Sequence, residues 1–431
     1  MITKPYSKQR WRFYDLGLFI HIAQRVAEDV GIVEYFSPYE EAFTKPHKAR
    51  LGEGVPGITR INHFFENKDE VDRFIFPDVG FGDIVDDLRA QGKAVYGVGL
   101  KGQMIERDRF ELKKVLKERG LFCAPYEKIK GITNLVAHLK ENPDVWVKLN
   151  NDSRGVKETF YVKDYKSAAN ALYKLAFDLD CFAETQLFLV EKPIYPGDKG
   201  VEMGDDWNFS KDFLPVGLYG AEMKGDSYGG RFMPYGELPA PVRVVTDAMR
   251  PVFKRGGVQS ARSSEIRFGR QNGKVVGSFG DACQRFGCPP SGVLTRGYTN
   301  ITEIMGKMAV MEPVTPNPVK EYCAEIIVGG SSVNNEAVEV FLDEKHMNRV
   351  LVRQYCKIGD QIFRVPQKDG SLVCECIGFG DTLEEAQQEA RESVELVNFE
   401  GKTWQSDTFD EMDEKLERAD KLGVGLDSGK K

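Results

Sequence analysis

Apolar and polar positions change period repeatedly along the first hundred residues. Trp11–Tyr14 is short and β-prone. Leu16, Phe19, Ile20, Ala23, Val26, Ala27 and Val30 then recur at the spacing of one helix face, with Gly31 placed to end that helix. Val33–Phe36, Arg73–Phe76 and Ala94–Tyr96 read as strands, and Asp83–Gln91 as a helix before the last of them. Strands alternating with helices predict a parallel sheet with right-handed crossovers, and ligands of such sheets bind beyond the strands' carboxyl ends. Asp15 and Asp78 lie just past two such ends and are candidates to touch a substrate. Each taken alone reads more readily as a cap or turn residue.

A second region begins near Lys101. Glu106–Arg119 reads as one helix ended by Gly120, and Cys123–Ile129 as a strand entering a small α/β unit. Val145–Leu149 and Leu187–Ile194 read as strands on either side of a helix over Tyr165–Asp178. Tyr195–Gly236 is rich in Gly, Asp and aromatics, which predicts long functional loops. Ser263–Arg270 and Lys274–Asp281 are strands joined by Gln271-Asn272-Gly273, a strong hairpin signal. The three prolines of Met311–Val319 mark a junction. Strands follow at Tyr322–Val328, Val350–Cys356 and Leu372–Phe379, and a helix at Thr382–Asn398, opened by the capping box of Thr382 and Glu385. The polar end, Asp407–Lys431, reads as a helix and a frayed tail.

Composition narrows the class. The chain has 431 residues and a formal net charge of −7, which suits several packed α/β units and gives no blanket attraction to nucleic acid or anionic lipid. Its amino terminus lacks the apolar stretch of a secretory signal, and no run is long and apolar enough to span a bilayer. The eight cysteines, several inside apolar strand-like runs, fit a reduced, cytoplasmic protein. Cys374 and Cys376 share a strand face, but two thiols without further ligands make a poor zinc site.

Four local features then fall in order. Arg109 opens a helix that continues through Lys113, and Lys148 lies on the strand VWVKL before a turn. Glu191 lies in LVEKPI, and Glu265 in SSEIRF is followed by Asp281 and Arg285 in GDACQRFGCPP. Arg109 and Lys148 can meet phosphate oxygens, Arg109 with bidentate geometry. Glu191, on an apolar strand, can hold a ribose hydroxyl or flank adenine. Glu265 and Asp281, from adjacent antiparallel strands, can converge on Mg²⁺, a hard ion that prefers carboxylate oxygen. Arg285 can steady a phosphoryl group or an acyl phosphate.

In this order the features resemble the ATP-grasp superfamily, and within it the phosphoribosylamine–glycine ligases. The run GFGDTLEEAQQEARESVELVNFEGKTWQSD resembles the closing domain of those ligases. The resemblance implies a multidomain α/β and α+β fold. An N-terminal parallel α/β domain spans 1–104, and an ATP-grasp core of two α+β lobes spans 105–310, with a lid over about 124–190. A small C-terminal α+β domain spans 311–431. It implies a carboxylate–amine ligase that joins an amino acid or similar carboxylate to an amine acceptor through an acyl phosphate, with small-molecule substrates, ATP, and Mg²⁺ or Mn²⁺. Arg109, Lys148 and Arg154 would bind phosphates, Glu191 the adenosine, and Glu265 and Asp281 the metal. Lys224 and the Gly229–Gly230 pair would form a loop near the reacting phosphate, with Lys224 and Arg285 as catalytic candidates. A phosphotransferase, or a nucleotide-binding protein without catalysis, are the alternatives, and the oligomeric state is left open.

Three departures stand out. Cys283 occupies the place of the usual second metal residue, an Asn. The glycine-rich lid over the phosphates is replaced by NNDSRGVKET, where Ser153, Arg154 and Lys157 are substitutes. YDLGLFIHIAQ stands where the family has its Gly-Gly-Arg-Glu-His stretch for phosphoribosylamine. Loss confined to one half of the site predicts a different acceptor; no nucleic-acid partner is indicated, though an acceptor linked to one is compatible.

Overall fold

The computed structural model describes residues 5–38, 50–150, 159–193, 200–223, 225–330, 337–365 and 372–430. Strands β1 (Tyr6–Tyr14), β2 (Val30–Phe36), β3 (Thr59–Arg60), β4 (Arg73–Ile75) and β5 (Val95–Val98) form the expected parallel sheet, in the order β3-β2-β1-β4-β5. Helix α1 (Ile20–Val26) joins β1 to β2, and α2 (Gly82–Ala90) joins β4 to β5. The first helix is shorter than its periodicity suggests. Val30 is drawn into β2 opposite Tyr6, and Gly31 lies within that strand instead of ending the helix. A Cβ there would stand 2.1 Å from the Ser7 carbonyl oxygen, so close strand approach is what requires glycine.

The single helix expected over Glu106–Arg119 is two. α3 (Leu100–Arg107) and α4 (Arg109–Glu118) meet at Asp108, which is extended (φ −111°, ψ 98°) and caps α4. Its Oδ1 accepts from the amides of Phe110 (3.0 Å) and Glu111 (3.2 Å). The next four strands, β6 (Tyr126–Lys130), β7 (Val145–Leu149), β8 (Thr159–Val162) and β9 (Leu187–Glu191), form an antiparallel sheet ordered β6-β9-β7-β8. With α5 (Ile132–Glu141) and α6 (Tyr165–Leu179) this sheet buries its own cluster, including Leu135, Val147, Leu172 and Phe188, apart from the main core.

Where long loops are expected, Tyr195–Gly236 instead contains an antiparallel meander of β10 (Val201–Phe209), β11 (Val216–Met223) and β12 (Ser227–Pro234). Its strands are covered on both faces, so the alternation that marks a half-exposed strand is missing. Gly229 and Gly230 are therefore strand residues, not loop residues. Helix α7 (Ala240–Arg255) leads to the hairpin of β13 (Val258–Gln271) and β14 (Lys274–Cys283). Asn272 and Gly273 take the positive φ values, 51° and 77°, that its turn needs. α8 (Ser291–Gly297) and α9 (Ile301–Ala309) follow, and the proline-rich segment after them is irregular.

The last third holds β15 (Tyr322–Gly330), β16 (Val338–Leu342), β17 (Val350–Val352), β18 (Tyr355–Ile358), β19 (Gln361–Arg364), β20 (Leu372–Gly380), α10 (Leu383–Val394), β21 (Val397–Asn398), β22 (Lys402–Thr403) and α11 (Thr408–Lys421). The expected strand Val350–Cys356 breaks in two at Gln354, whose φ is +46°. The C-terminal segment is not frayed up to Lys430: Val424 and Leu426 are buried, and the Tyr219 hydroxyl donates to the Val424 carbonyl at 2.6 Å. One sheet runs through the molecule in the order β17-β20-β15-β12-β11-β10-β13-β5-β4-β1-β2-β3, with β14 on β13 and β22 on β15. No helix among the described residues is long and apolar enough to cross a membrane.

On one face of β10 and β13, Asp205 and Arg262 form a fully buried ion pair, with the guanidinium 4.8 Å and 4.7 Å from the ring centres of Phe213 and Phe253. Breaking such a pair strands a charge, whereas replacing both partners removes that penalty. Asp205→Ala is expected to destabilise the chain by about 3–5 kcal/mol, and Asp205→Ala with Arg262→Met by clearly less. Urea unfolding of the two variants checks this.

Candidate nucleotide and substrate site

The opposite face of the same strands lines a cleft. On β10, Glu202, Gly204 and Asp206 stand opposite Arg267, Glu265 and Ser263 of β13, and Glu265 and Ser263 stand opposite Asp281 and Cys283 of β14. The two strands of the hairpin do not match residue for residue. Glu265 pairs with Asp281 and Ile266 with Phe279, so Gly280 is an extra residue, a β-bulge. In regular alternation Phe279 and Asp281 would share a face. The bulge turns Phe279 into the core while Asp281 faces the cleft. Glu265 and Asp281 thus face the same space, as the metal expectation requires, with Cys283 on their side.

The walls of the cleft come from both sheets: Lys148 and Glu191 on one side, Glu202, Glu265, Arg267 and Asp281 on the other. Its charged groups form an alternating chain. Lys113 Nζ lies 2.5 Å from Glu191 Oε2, and Lys148 Nζ lies 3.1 Å from Glu191 Oε1 and 3.5 Å from Asp281 Oδ2. Arg109 Nη1 lies 2.5 Å from Asp281 Oδ1. The Arg109 backbone amide donates to Asn150 Oδ1 (2.8 Å) and its Nε to the Leu149 carbonyl (2.8 Å), which aims the guanidinium across the cleft. Burial pushes the Glu191 carboxyl up, but the Lys148 and Lys113 ammoniums outweigh it and hold the group below the ordinary carboxylate value. Burial likewise lowers the Lys148 ammonium, and Asp281 with Glu191 reverse the shift to a net rise. Both groups stay charged at neutral pH.

The remaining candidates gather elsewhere, at the carboxyl ends of β1 and β4. Arg285 Nε lies 2.9 Å from Glu106 Oε1 and 3.4 Å from Asp78 Oδ1. The Gln284 amide donates to Glu106 Oε2 at 2.5 Å. Asp15 is fully buried; its Oδ2 accepts from the Tyr35 hydroxyl (2.8 Å) and the Phe19 amide (3.0 Å). Burial and the neighbouring Asp78 carboxylate push Asp15 up to about 7. The structure therefore sets Asp15 beside Asp78 and Arg285 beside Asp78 and Glu106, in contacts distinct from the ion pairs of Arg109, Lys148, Glu191 and Asp281. Arg154 and Lys224 lie outside the described residues, as do Ser153 and Lys157 of the substitute lid.

Burial raises the Cys283 thiol well above its usual range, so it is neutral at physiological pH and a poor ligand for a hard ion. Among the described residues, no group of three or more His, Cys, Asp or Glu is arranged to hold a metal. The two facing carboxylates nevertheless suit Mg²⁺, which takes few protein ligands and completes its shell with water and phosphate oxygens. Glu106, Glu202, Asp206 and Arg267 were not singled out as site residues in the sequence. The run Glu202-Met203-Gly204-Asp205-Asp206, read with strand alternation, places Glu202 and Asp206 on one face, but that reading needs a strand where the composition suggests loops.

No protein-family model matches the sequence, and no curated protein is similar to it. Solved structures are. The chain is similar to a phosphoribosylamine–glycine ligase from Thermotoga maritima (TM-score 0.64, 17% identity, 92% of this chain and 99% of that one). It is similar to the biotin carboxylase domain of the Hydrogenobacter thermophilus 2-oxoglutarate carboxylase, solved with MgADP and bicarbonate (TM-score 0.63, 13% identity, 96% and 98%). A third similarity is to an L-amino acid ligase from Bacillus licheniformis (TM-score 0.59, 16% identity, 93% and 100%). The likeness runs over nearly the whole of each chain at low identity. The chain thus has the ATP-grasp fold.

Proposed function

We propose that the protein is an ATP-dependent carboxylate–amine ligase that works through an acyl phosphate. The observation that carries this reading is the alternating chain of charges in the cleft, with Glu265 opposite Asp281. A nucleotide with its metal presents the same charges. Phosphate oxygens can take the place of Asp281 beside Arg109 and Lys148, and the carboxylates of Asp281 and Glu265 can turn to the cation. Mg²⁺ held by Glu265 and Asp281 would neutralise phosphate charge. The substrate carboxylate attacks the γ-phosphorus, the bond to the bridging oxygen breaks, and ADP leaves with that electron pair. The amine nitrogen then attacks the acyl carbon, phosphate leaves, and the nitrogen loses a proton. The residues contribute position and fixed charge. Arg285, held by Asp78 and Glu106, is the group we assign to the acyl phosphate, and Asp15 and Asp78 to the acceptor side. Arg154 and Lys224 complete the assignment on the nucleotide and phosphoryl sides. The same reading divides the chain at 104/105 and 310/311, with the lid at about 124–190.

Likeness in fold to a phosphoribosylamine–glycine ligase and an L-amino acid ligase supports a ligase. The replaced phosphoribosylamine stretch supports a different acceptor. The test is a mass-spectrometric screen with Mg-ATP, single carboxylates and mixed amines. The expected result is ADP, phosphate and a new amide. A phosphorylated product without an amide would move the assignment to a phosphotransferase, and ATP binding without ADP release would make the protein a non-catalytic nucleotide binder.

Two predictions follow from the cleft. Mg-ATP at 100 times its Kd should stabilise the fold by about 2.7 kcal/mol. Lys148→Met should weaken that affinity at least tenfold while Lys163→Met, an exposed control, leaves it unchanged; thermal shift against ATP concentration measures both. Chelation of divalent cations should abolish ADP release. Asp281→Asn and Glu265→Gln should each raise the Mg²⁺ concentration for half-maximal rate, with Cys283→Ser having little effect, as read from Mg²⁺ titrations.

A further inference from the structure

Helix α6 is apolar on two faces. Ala168, Leu172, Leu175 and Leu179 recur at the spacing of one helix face and are buried against the four-stranded sheet, in the cluster that also holds Val147 and Phe188. On the far side of the helix stand Tyr173 and Phe177, one turn apart and 73% and 84% exposed. They are the two most exposed large apolar side chains among the described residues. Phe182, in the short turn Asp180–Phe182 that follows, is 67% exposed and extends the patch. A solvated helix face carries charged and polar residues, whereas grouped exposed aromatics mark a surface that another molecule covers.

The positions around the two rings identify that molecule. Lys166, then Ala169 with Asn170, then Tyr173, Phe177 and Asp180 recur every three to four residues along this face. Lys166 and Asp180 are exposed, and they stand equally far before and after Tyr173. At about 1.5 Å rise per residue, the two opposite charges lie about 10 Å on either side of it. A second α6, antiparallel about a two-fold axis at Tyr173, therefore sets Lys166 of each copy opposite Asp180 of the other. The same register sets each Phe177 against Ala169 of the other copy, where a small side chain leaves room for the ring. Lys174 and Asp178 pair with each other at 2.5 Å within the helix, to the side of this row. The face is thus complementary to itself, which is what a two-fold contact requires. Three aromatic side chains from each copy, able to bury about 150–250 Å² apiece, bring the contact to the lower end of the about 1,200–2,000 Å² of a standard interface. That size suits a dimer that dissociates on dilution.

We propose that this face binds a second copy of the chain, α6 against α6, so that two four-stranded sheets stand back to back. Val147 and Leu149 point to the α6 side, and Lys148 between them points to the cleft. Docking on α6 therefore leaves the cleft open, and the proposal stands apart from the reaction performed there.

Sedimentation of the full chain over a range of concentrations tests this. The dimer fraction should grow with concentration, and the variant carrying Tyr173→Lys and Phe177→Lys should be monomeric throughout. The charges give a sharper test. Lys166→Glu alone and Asp180→Lys alone each set like charges opposite one another, and each should raise the dimer Kd by about tenfold or more. An equal mixture of these two variants restores opposite charges at both pairs and should regain the original affinity as a heterodimer. Thermal unfolding of each variant shows that it folds. Asp180 has a φ of +45°, which Asn tolerates better than Lys. Should Asp180→Lys fail to fold, Asp180→Asn added to Lys166→Glu should recover part of the affinity that Lys166→Glu loses. A chain that stays monomeric at every concentration overturns the proposal. So does a dimer unaffected at these four positions, a folded pair of charge variants that does not recover on mixing, or a monomer that uses Tyr173 and Phe177 to bind a different protein.

Discussion

The four-stranded sheet with Lys148 and Glu191 has a core of its own, and an ionic chain joins it to the rest of the molecule across the cleft. Glu191 and Lys148 come from that sheet, whereas Lys113, Arg109 and Asp281 come from elements packed in the main core. A seam of this kind is a weak source of stability, because desolvation consumes most of the Coulomb gain. It is a strong source of geometry. Each ion has a partner on the other side, so a member that turns away gives up a contact across the seam. It is also exchangeable, since phosphate and a divalent cation offer the same signs. A joint made of apolar side chains would hold the two parts together more firmly but could not be handed over to a nucleotide.

How much of this was legible depends on what each residue's signal required. Lys148, Glu191, Glu265 and Asp281 sit on strands that announce themselves by β-branched and aromatic residues, and they converge in the structure. The meander after Tyr195 was hidden because its strands are buried on both faces and carry glycines for a packing reason that only neighbouring strands reveal. Gly220 and Gly230 look like loop residues until the Tyr228 ring is seen lying over them. The break between α3 and α4 was legible in principle, since Asp108 is a good cap, but the apolar period runs through it. Arg285 was expected to steady a phosphoryl group or an acyl phosphate. Its pairing with Glu106 and Asp78 depends on which strand ends the sheet order brings together, and that is a tertiary fact.

The half of the site at the ends of β1 and β4 differs in kind from the nucleotide half. Asp15 and Glu106 are both pushed upward, chiefly by burial, and Arg285 is the cation that Glu106 and Asp78 hold. Added negative charge here would compete with the carboxylates that already hold the guanidinium.

Stability and chemistry meet in the register of β10, β13 and β14. One face of β10 and β13 carries the buried Asp205–Arg262 pair and core residues, and the other carries Glu202, Asp206, Glu265 and Arg267. A slip of one residue would exchange the faces, burying the cleft charges and exposing the core. The hydrophobic pattern of β13 fixes its own register, but β14 is inconsistent with any single one. Phe279 must enter the core and Asp281, two residues on, must face the cleft. The Gly280 bulge resolves that conflict, and a side chain at this position would approach the Glu265 carbonyl oxygen at 3.2 Å. The facing of Glu265 and Asp281 is therefore the outcome of a core requirement on one side of the bulge and a charge requirement on the other. Core packing that holds Phe279 in place also holds the cleft-facing carboxylate of Asp281.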